Sequence, residues 1–184
     1  MHGSMIIRRQ NHLGLLIGSL VITFQVLVVS CAAFGQKASD KEPNPVLEAV
    51  TVKTDLYPAN ADAKKEIAEV LARAAVEDKR VILIFGGNWC YDCHVLDAAL
   101  HNGEAGKIVS ESYLLVHVDI GEGDKNLDLV KKYKIPLDKG VPALVVLKSD
   151  GEMIYWSGYG EFEAARAMLK KDLVAFLNHW KSQK

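Results

Sequence analysis

The chain has 184 residues, of which 22 are basic and 23 are acidic, so its formal net charge is −1. This length suits one domain of ordinary size, and the 49% of apolar residues can form a substantial core. The balanced charges include no basic block and no helix with a basic stripe, which argues against a nucleic-acid partner.

The first 35 residues have the composition of an export signal. Arg8 and Arg9 precede an almost uncharged run over 13–29, and small residues follow before polarity returns at Gln36. A basic start, an apolar middle and a small-residue exit are typical of a bacterial secretion signal. The run is near the short limit for a membrane-spanning helix, so an uncleaved anchor is the alternative. We therefore expect an extracytoplasmic protein, either periplasmic or secreted.

Two processing sites fit this signal. Cleavage after Gly35 would leave Gln36 as the N-terminus, whereas residues 28–31 (VVSC) resemble a lipoprotein box in which Cys31 would be lipidated. The usual leucine of such a box is Val28 here. We expect membrane attachment only through such a lipid or an uncleaved signal, and no redox role for Cys31.

The rest of the chain divides into a connecting segment and a globular domain. Residues 36–58 comprise a polar, proline-containing tether and a candidate first strand over 49–54 (AVTVKT). Residues 59–184 form the expected domain. In it, continuous apolar runs predict buried strands, and apolar residues three or four positions apart predict helices.

The predicted elements follow one another in the order β-α-β-α-β-α-β-β-α. This order predicts an α/β domain in which a central mixed sheet carries helices on both faces, with a late antiparallel hairpin. After the candidate strand at 49–54, the predicted strands are 81–85, 113–120, 143–148 and 152–157, and the predicted helices are 62–77, 90–101, 124–133 and 161–180.

Cys90 and Cys93 stand where a buried strand ends and a helix begins. Free N–H groups and the helix dipole at the helix N-terminus favour a thiolate on Cys90. Cys93, one turn further in, should be more buried and keep its proton longer. An exposed nucleophilic thiolate backed by a buried resolving thiol is the arrangement that thiol–disulfide exchange requires.

Residues 89–93 (WCYDC) after a hydrophobic strand, and residues 140–142 (GVP) before the strand at 143–148, together resemble the thioredoxin superfamily. The resemblance covers about residues 60–184. It implies a thioredoxin-like three-layer sandwich and a thiol–disulfide oxidoreductase of the protein-disulfide reductase type, without cofactor or metal. Its partners would be protein dithiols or disulfides and an upstream redox protein, and we expect a monomer.

The same resemblance assigns roles around the cysteine pair. Pro142 would be a cis-proline beside the disulfide, and Trp89, Val141 and Pro142 would contact the substrate backbone. The residues expected to modulate the thiolate are its neighbours in the motif: Tyr91, Asp92 and His94.

Two departures from cytosolic thioredoxin bear on the direction of electron flow. Ile84 occupies the position of a buried acid, and Tyr91 and Asp92 replace the usual Gly-Pro. The match is closer to exported thioredoxin-like proteins, such as the C-terminal domain of the bacterial transmembrane electron transporter. Because the carboxylate of Asp92 beside Cys90 should raise the pKa of that thiol, we expect a reductant or an electron relay.

Other functions remain open from the sequence alone. Cys90, Cys93 and His94 form CxxCH, the attachment motif of a c-type haem. A zinc site would need two more ligands, for which His94, His101 and His117 are available. A non-catalytic thioredoxin-fold binding protein is the third alternative, although a disulfide that closes so small a loop stabilises little.

Overall fold

The computed structural model of the protein describes residues 46–181. The predicted export signal, Cys31 and most of the tether lie outside the described residues. Among residues 46–181, no helix is long and apolar enough to cross a membrane.

A mixed four-stranded sheet lies at the centre of the domain. Its strands are β1 (Arg80–Gly86), β2 (Tyr113–Asp119), β3 (Ala143–Leu147) and β4 (Met153–Trp156), in the spatial order β2-β1-β3-β4. β1 pairs parallel with β2 and antiparallel with β3, and β4 pairs antiparallel with β3. β1 and β3 lie in the middle of the sheet and are buried along almost their whole length. Their continuous apolar sequences favour this position, because helices cover both faces of a central strand.

Helices cover both faces of this sheet. Helices α1 and α4 pack on one face, and α2, α3 and α5 pack on the other. The three-layer α/β sandwich predicted from the sequence is therefore confirmed. The helices of the described chain are α1 (Ala63–Glu77), α2 (Tyr91–His101), α3 (Gly103–Ser112), α4 (Leu127–Lys132) and α5 (Lys170–Trp180).

Helix α1 begins one residue after the predicted start because Asp62 caps it. The Asp62 carboxylate accepts the backbone N–H of Lys65 at 3.1 Å and so satisfies a donor that the first turn leaves free. Ile67 and Val70 lie on the buried face of the helix, as their spacing predicts. The helix ends at Glu77, and its C-cap residue, Asp78, adopts the left-handed conformation with φ of 52°.

The predicted first strand at 49–54 is wrong. These residues have no regular structure, and Val52 is 46% exposed, so the short apolar alternation does not face a core. The segment bonds to α2 instead. The Val50 N–H donates to the hydroxyl of Tyr91, and the Lys53 N–H donates to Nδ1 of His94.

One predicted helix boundary needs correction, and one helix was not predicted. The last helix begins at Lys170 rather than at residue 161, although Phe162 and Ala165 are buried as expected. The spacing of these apolar residues therefore correctly indicates which side chains are buried, although they do not lie in an α-helix. The second helix ends at His101, as predicted. Gly103, at φ of 60°, then begins α3, a helix that the sequence analysis missed.

Candidate redox site

Cys90 and Cys93 form a disulfide at the start of α2, directly after β1. Cys90 is the N-cap residue, and its Sγ accepts the N–H of Cys93 at 3.1 Å. Cys90 is 5% exposed and Cys93 is fully buried, so the first cysteine lies nearer the surface. The helix N-terminus therefore directs the free N–H of Cys93 toward the first sulfur.

The loop before β3 lies against this disulfide. The Val141–Pro142 peptide bond is cis. The carbonyl oxygen of Val141 is 3.4 Å from Cys90 Sγ, and Val141 packs against the cluster formed by Cys90, Cys93 and Tyr57. The structure thus brings Val141 to the cysteine pair.

A groove of about 550 Å³ opens beside Cys90. Trp89 borders it and remains 55% exposed, with its indole N–H donating to the carbonyl of Gly121 at 2.8 Å. This bond fixes the ring while its surface stays accessible to another molecule. The other charged or apolar side chains lining the groove include Glu122, Leu137, Val141, Glu163 and Arg166.

Asp92 is buried and is bonded to Arg166. Nε of the guanidinium lies 3.0 and 3.1 Å from the two carboxylate oxygens, and the Arg166 backbone N–H donates at 2.8 Å. The carboxylate raises the pKa of the guanidinium. The sequence predicts an uncompensated carboxylate beside Cys90. This prediction is wrong, because the charge of Asp92 is paired with that of Arg166.

Tyr91 and His94 connect the redox turn to other segments. The guanidinium of Arg166 lies 5.3 Å from the centre of the Tyr91 ring. Nε2 of His94 donates to the carbonyl of Asn88 at 2.9 Å, while Nδ1 accepts the Lys53 N–H at 3.4 Å. Both ring nitrogens are thus engaged by backbone, so His94 is not free to ligate a haem in this conformation.

Asp97 is a buried acid that the sequence analysis did not identify as part of the site. Its side chain is only 2% exposed, and it lies 3.1 Å from Lys53 Nζ and 3.2 Å from nitrogens of both His101 and His117. Burial alone would raise the pKa of Asp97, but these three partners hold it well below its usual value. The sequence feature that could have identified Asp97 is the presence of an acidic residue at a position of α2 that faces the core.

Tyr57 is the second group that the sequence analysis missed, because it lies in the segment interpreted as a tether. Its hydroxyl is buried and has no hydrogen-bond partner among residues 46–181. The Tyr57 oxygen and Cys93 Sγ lie 2.5 and 2.6 Å from the point that a Cβ on Gly86 would occupy. The hydroxyl and the buried sulfur therefore converge on the same small space, which a glycine leaves open.

Comparison with known proteins defines the family. Residues 62–149 match a family model described as thioredoxin-like. A disulphide isomerase from Xylella fastidiosa Temecula1, known from its crystal structure, is 35% identical, with a TM-score of 0.63 over 67% of this chain and 95% of that chain. The chain belongs to the thioredoxin-like family. The fold and enzyme class expected from the sequence are thereby confirmed: this thioredoxin-like chain is a thiol–disulfide oxidoreductase with a CxxC pair.

Two further relatives are more distant. Thioredoxin-1 of Drosophila yakuba is 25% identical over 96 residues, which are 52% of the thioredoxin-like chain and 82% of the relative. The oxidised C-terminal domain of DsbD from Neisseria meningitidis is 22% identical, with a TM-score of 0.46 over 65% of this chain and 94% of that chain.

Proposed function

We propose that this protein exchanges disulfides with protein substrates outside the cytoplasm, mainly as a reductant or electron relay. Cys90 is the attacking thiolate and Cys93 the resolving thiol. The observation that carries the proposal is the unequal placement of the two sulfurs. Cys90 caps α2 beside an open groove, whereas Cys93 is sealed beneath it.

The exchange proceeds in two steps that conserve atoms and electrons. The Cys90 thiolate attacks one sulfur of a partner disulfide, forms a mixed disulfide and expels the partner's other sulfur as a thiolate, which takes up a proton. Cys93 then attacks Cys90 and expels the remaining partner sulfur. The Cys90–Cys93 disulfide forms, and the partner gains two electrons and two protons.

The groove beside Cys90 is suited to an extended segment of a protein partner. Trp89 offers an exposed aromatic surface in the lining of the groove, and Val141 lines it next to the sulfur. Pro142 follows Val141 through a cis peptide bond. We infer that these three residues hold the partner's backbone while the sulfurs exchange. The partners are a protein dithiol or disulfide and an upstream redox protein, which a monomer meets in turn.

The surroundings of Cys90 favour a reducing potential. Strong oxidants owe their high potential to strong stabilisation of the nucleophilic thiolate. Here one nearby backbone N–H, that of Cys93, contacts Sγ, while the carbonyl oxygen of Val141 lies 3.4 Å from it and would repel a thiolate. The paired charges of Asp92 and Arg166 largely cancel. We therefore expect a potential nearer thioredoxin's, about −270 mV, than the strong oxidant's, about −120 mV.

Two measurements test this assignment. Cys93→Ser should accumulate mixed disulfides with partner proteins, whereas Cys90→Ser should not. Trapping by Cys90→Ser alone would reverse the roles. Redox titration in glutathione buffers should give the low potential expected above. A potential above about −160 mV would contradict the assignment as a reductant and favour an oxidase.

The location proposal rests on the composition of residues 1–35 and on the residues around Cys31. We propose that this signal exports a domain spanning 59–184, joined to the N-terminus by residues 36–58. Cell fractionation and intact-mass analysis of the mature protein test it. A start at Gln36 without acyl mass would remove the lipoprotein alternative, whereas release by Cys31→Ser would support it. Recovery of unprocessed protein in the cytoplasm would contradict export.

Disulfide isomerisation is a second candidate, favoured by the name of the Xylella fastidiosa relative at 35% identity. An isomerase must attack a wrong disulfide and leave again without being oxidised. Refolding of a scrambled disulfide protein separates the two activities. An isomerase should restore native disulfides as the wild type but not as Cys90→Ala, which lacks the attacking thiol. Its Cys93→Ala variant should lose net reduction of the substrate but still isomerise its disulfides. A reductant alone would show no recovery with Cys93→Ala.

A further inference from the structure

The resolving step has an electrostatic requirement that the redox pair itself does not meet. Cys93 must become a thiolate to attack the mixed disulfide, yet it is fully buried, and burial disfavours the charged form. Ile84, in the strand before the motif, is also fully buried and offers no polar group. Another group must therefore stabilise negative charge on the Cys93 sulfur.

Tyr57 is placed to meet this requirement. Its hydroxyl and Cys93 Sγ converge on the space left by Gly86, and the two residues belong to one buried cluster. The hydroxyl has no acceptor among the described residues while the cysteines are joined as a disulfide. An unpaired buried donor costs free energy, so it is poised to bond with an acceptor that appears only when the pair is reduced.

The position of Tyr57 is fixed relative to the redox turn by its backbone. Its N–H donates to Oδ1 of Asn88 at 2.9 Å, and Nδ2 of Asn88 donates to its carbonyl at 2.8 Å. Asn88 is two residues before Cys90. The phenol ring meets the imidazole of His117 edge-on, with ring centres 5.3 Å apart. The backbone and the ring of Tyr57 are therefore both held in place beside the two cysteines.

We infer that the Tyr57 hydroxyl donates a hydrogen bond to the Cys93 thiolate and so stabilises it during resolution. The inference rests on the proposed role of Cys93 as the resolving thiol. Tyr57 keeps its own proton throughout. The Cys93 proton ends on the departing partner thiolate, while the Cys93 sulfur bonds to Cys90 and the bond from Cys90 to the partner breaks.

The charged groups around Tyr57 make it a donor rather than a base. Burial, and then the negative charges of Asp97 on α2 and Asp119 at the end of β2, raise the pKa of Tyr57 above its usual value. His117 of β2 lies between the phenol and Asp97, 3.2 Å from the carboxylate. The hydroxyl thus stays protonated over the pH range in which thiols exchange.

Tyr57→Phe tests the inference because it removes the hydroxyl and keeps the ring. The readout is the ¹³Cβ chemical shift of Cys93 against pH in a Cys90→Ala background, where only Cys93 titrates in the described redox pair. A hydrogen bond to a charged group is strong enough that its loss should lower the thiolate fraction about tenfold or more at a given pH. An unchanged titration curve would overturn the inference.

The rate of resolution supplies a second readout that a purely structural role would not move. With a tenfold smaller thiolate fraction, partly offset by a more nucleophilic sulfur, the mixed disulfide should resolve about threefold more slowly near neutral pH. Once the pH exceeds the pKa of Cys93 in both proteins the deficit should reverse, because the more basic sulfur of the variant should then resolve the mixed disulfide about threefold faster. A rate deficit of the same size at every pH would mean a packing defect and would overturn the inference.

Tyr133→Phe is a matched control, since Tyr133 is also buried but packs against Phe85. It should leave the Cys93 titration unchanged. Failure of the proposed function would be recognised separately, because Cys93→Ser would then trap no mixed disulfides. If Cys93→Ser traps partners and Tyr57→Phe leaves the Cys93 titration unaltered, only the inference about Tyr57 fails.

Discussion

Arg166 pairs with Asp92 across 74 positions of the chain, and the pair lies at the groove beside Cys90. Asp92 lies on the first turn of α2, while Arg166 lies in the short 3₁₀ turn at 165–167 before α5. The two charges therefore act on the redox cysteine together, and changing either one alone should shift its potential.

Removing Arg166 should make the protein a stronger reductant. In Arg166→Met the carboxylate of Asp92 loses its compensating charge and destabilises a thiolate on Cys90. Since a tenfold change in equilibrium corresponds to about 30 mV, we expect a potential lower by about 15 to 30 mV. Redox titration measures this. Arg73→Met, which breaks an ion pair on α1, is the control and should leave the potential unchanged. A higher potential in Arg166→Met would contradict the electrostatic account.

Removing Asp92 should shift the potential in the opposite direction. Asp92→Asn leaves the guanidinium of Arg166 unpaired near Cys90, which stabilises the thiolate and raises the potential by about 15 to 30 mV. Asp92→His should shift it upward as well. The double variant Asp92→Asn/Arg166→Met should lie close to wild type, because the pair is neutral. Additive shifts of the same sign would show that packing, not charge, controls the potential.

Asp97 should make stability dependent on pH in the acid range. Its pKa is depressed in the folded protein, so its contribution is present above the unfolded value of about 4 and is lost as pH falls. Asp97→Asn should cost about 2 kcal/mol at pH 7, because the buried carboxylate accepts a hydrogen bond from the Lys53 ammonium and lies 3.2 Å from two imidazoles. Urea unfolding at pH 7 and pH 3 checks both statements. An equal loss at the two pH values would argue for packing instead of charge.

Gly86 should tolerate no side chain. A Cβ there would lie 2.5 Å from the Tyr57 hydroxyl and 2.6 Å from Cys93 Sγ, well inside normal contact distance. Gly86→Ala should therefore destabilise the oxidised protein by about 1 to 3 kcal/mol. Thermal unfolding measures the loss. Combining it with Tyr57→Phe should recover part of the stability, and no recovery would place the clash elsewhere.

The sequence by itself determined the sheet and the redox pair. Strands β1 and β3 are continuous apolar runs. Such runs are buried in the core regardless of how the rest of the chain is arranged. The position of Cys90 and Cys93 at a helix start is likewise a local property, because the strand, the turn and the helix are consecutive. Local patterns failed at residues 49–54, where Val50 and Lys53 bond to side chains of α2 instead of pairing with a strand.

Only the tertiary structure decided what surrounds the two sulfurs. Asp92 appeared to be a free charge until packing of the 3₁₀ turn before α5 brought Arg166 to it. Tyr57 lies in a segment that looks like a tether, yet its hydroxyl and Cys93 Sγ converge on the space at Gly86, and Asn88 holds its backbone. These contacts join positions 31 to 74 residues apart. No local propensity specifies them, since they exist only once the sheet has placed α2 against the segments that precede and follow it.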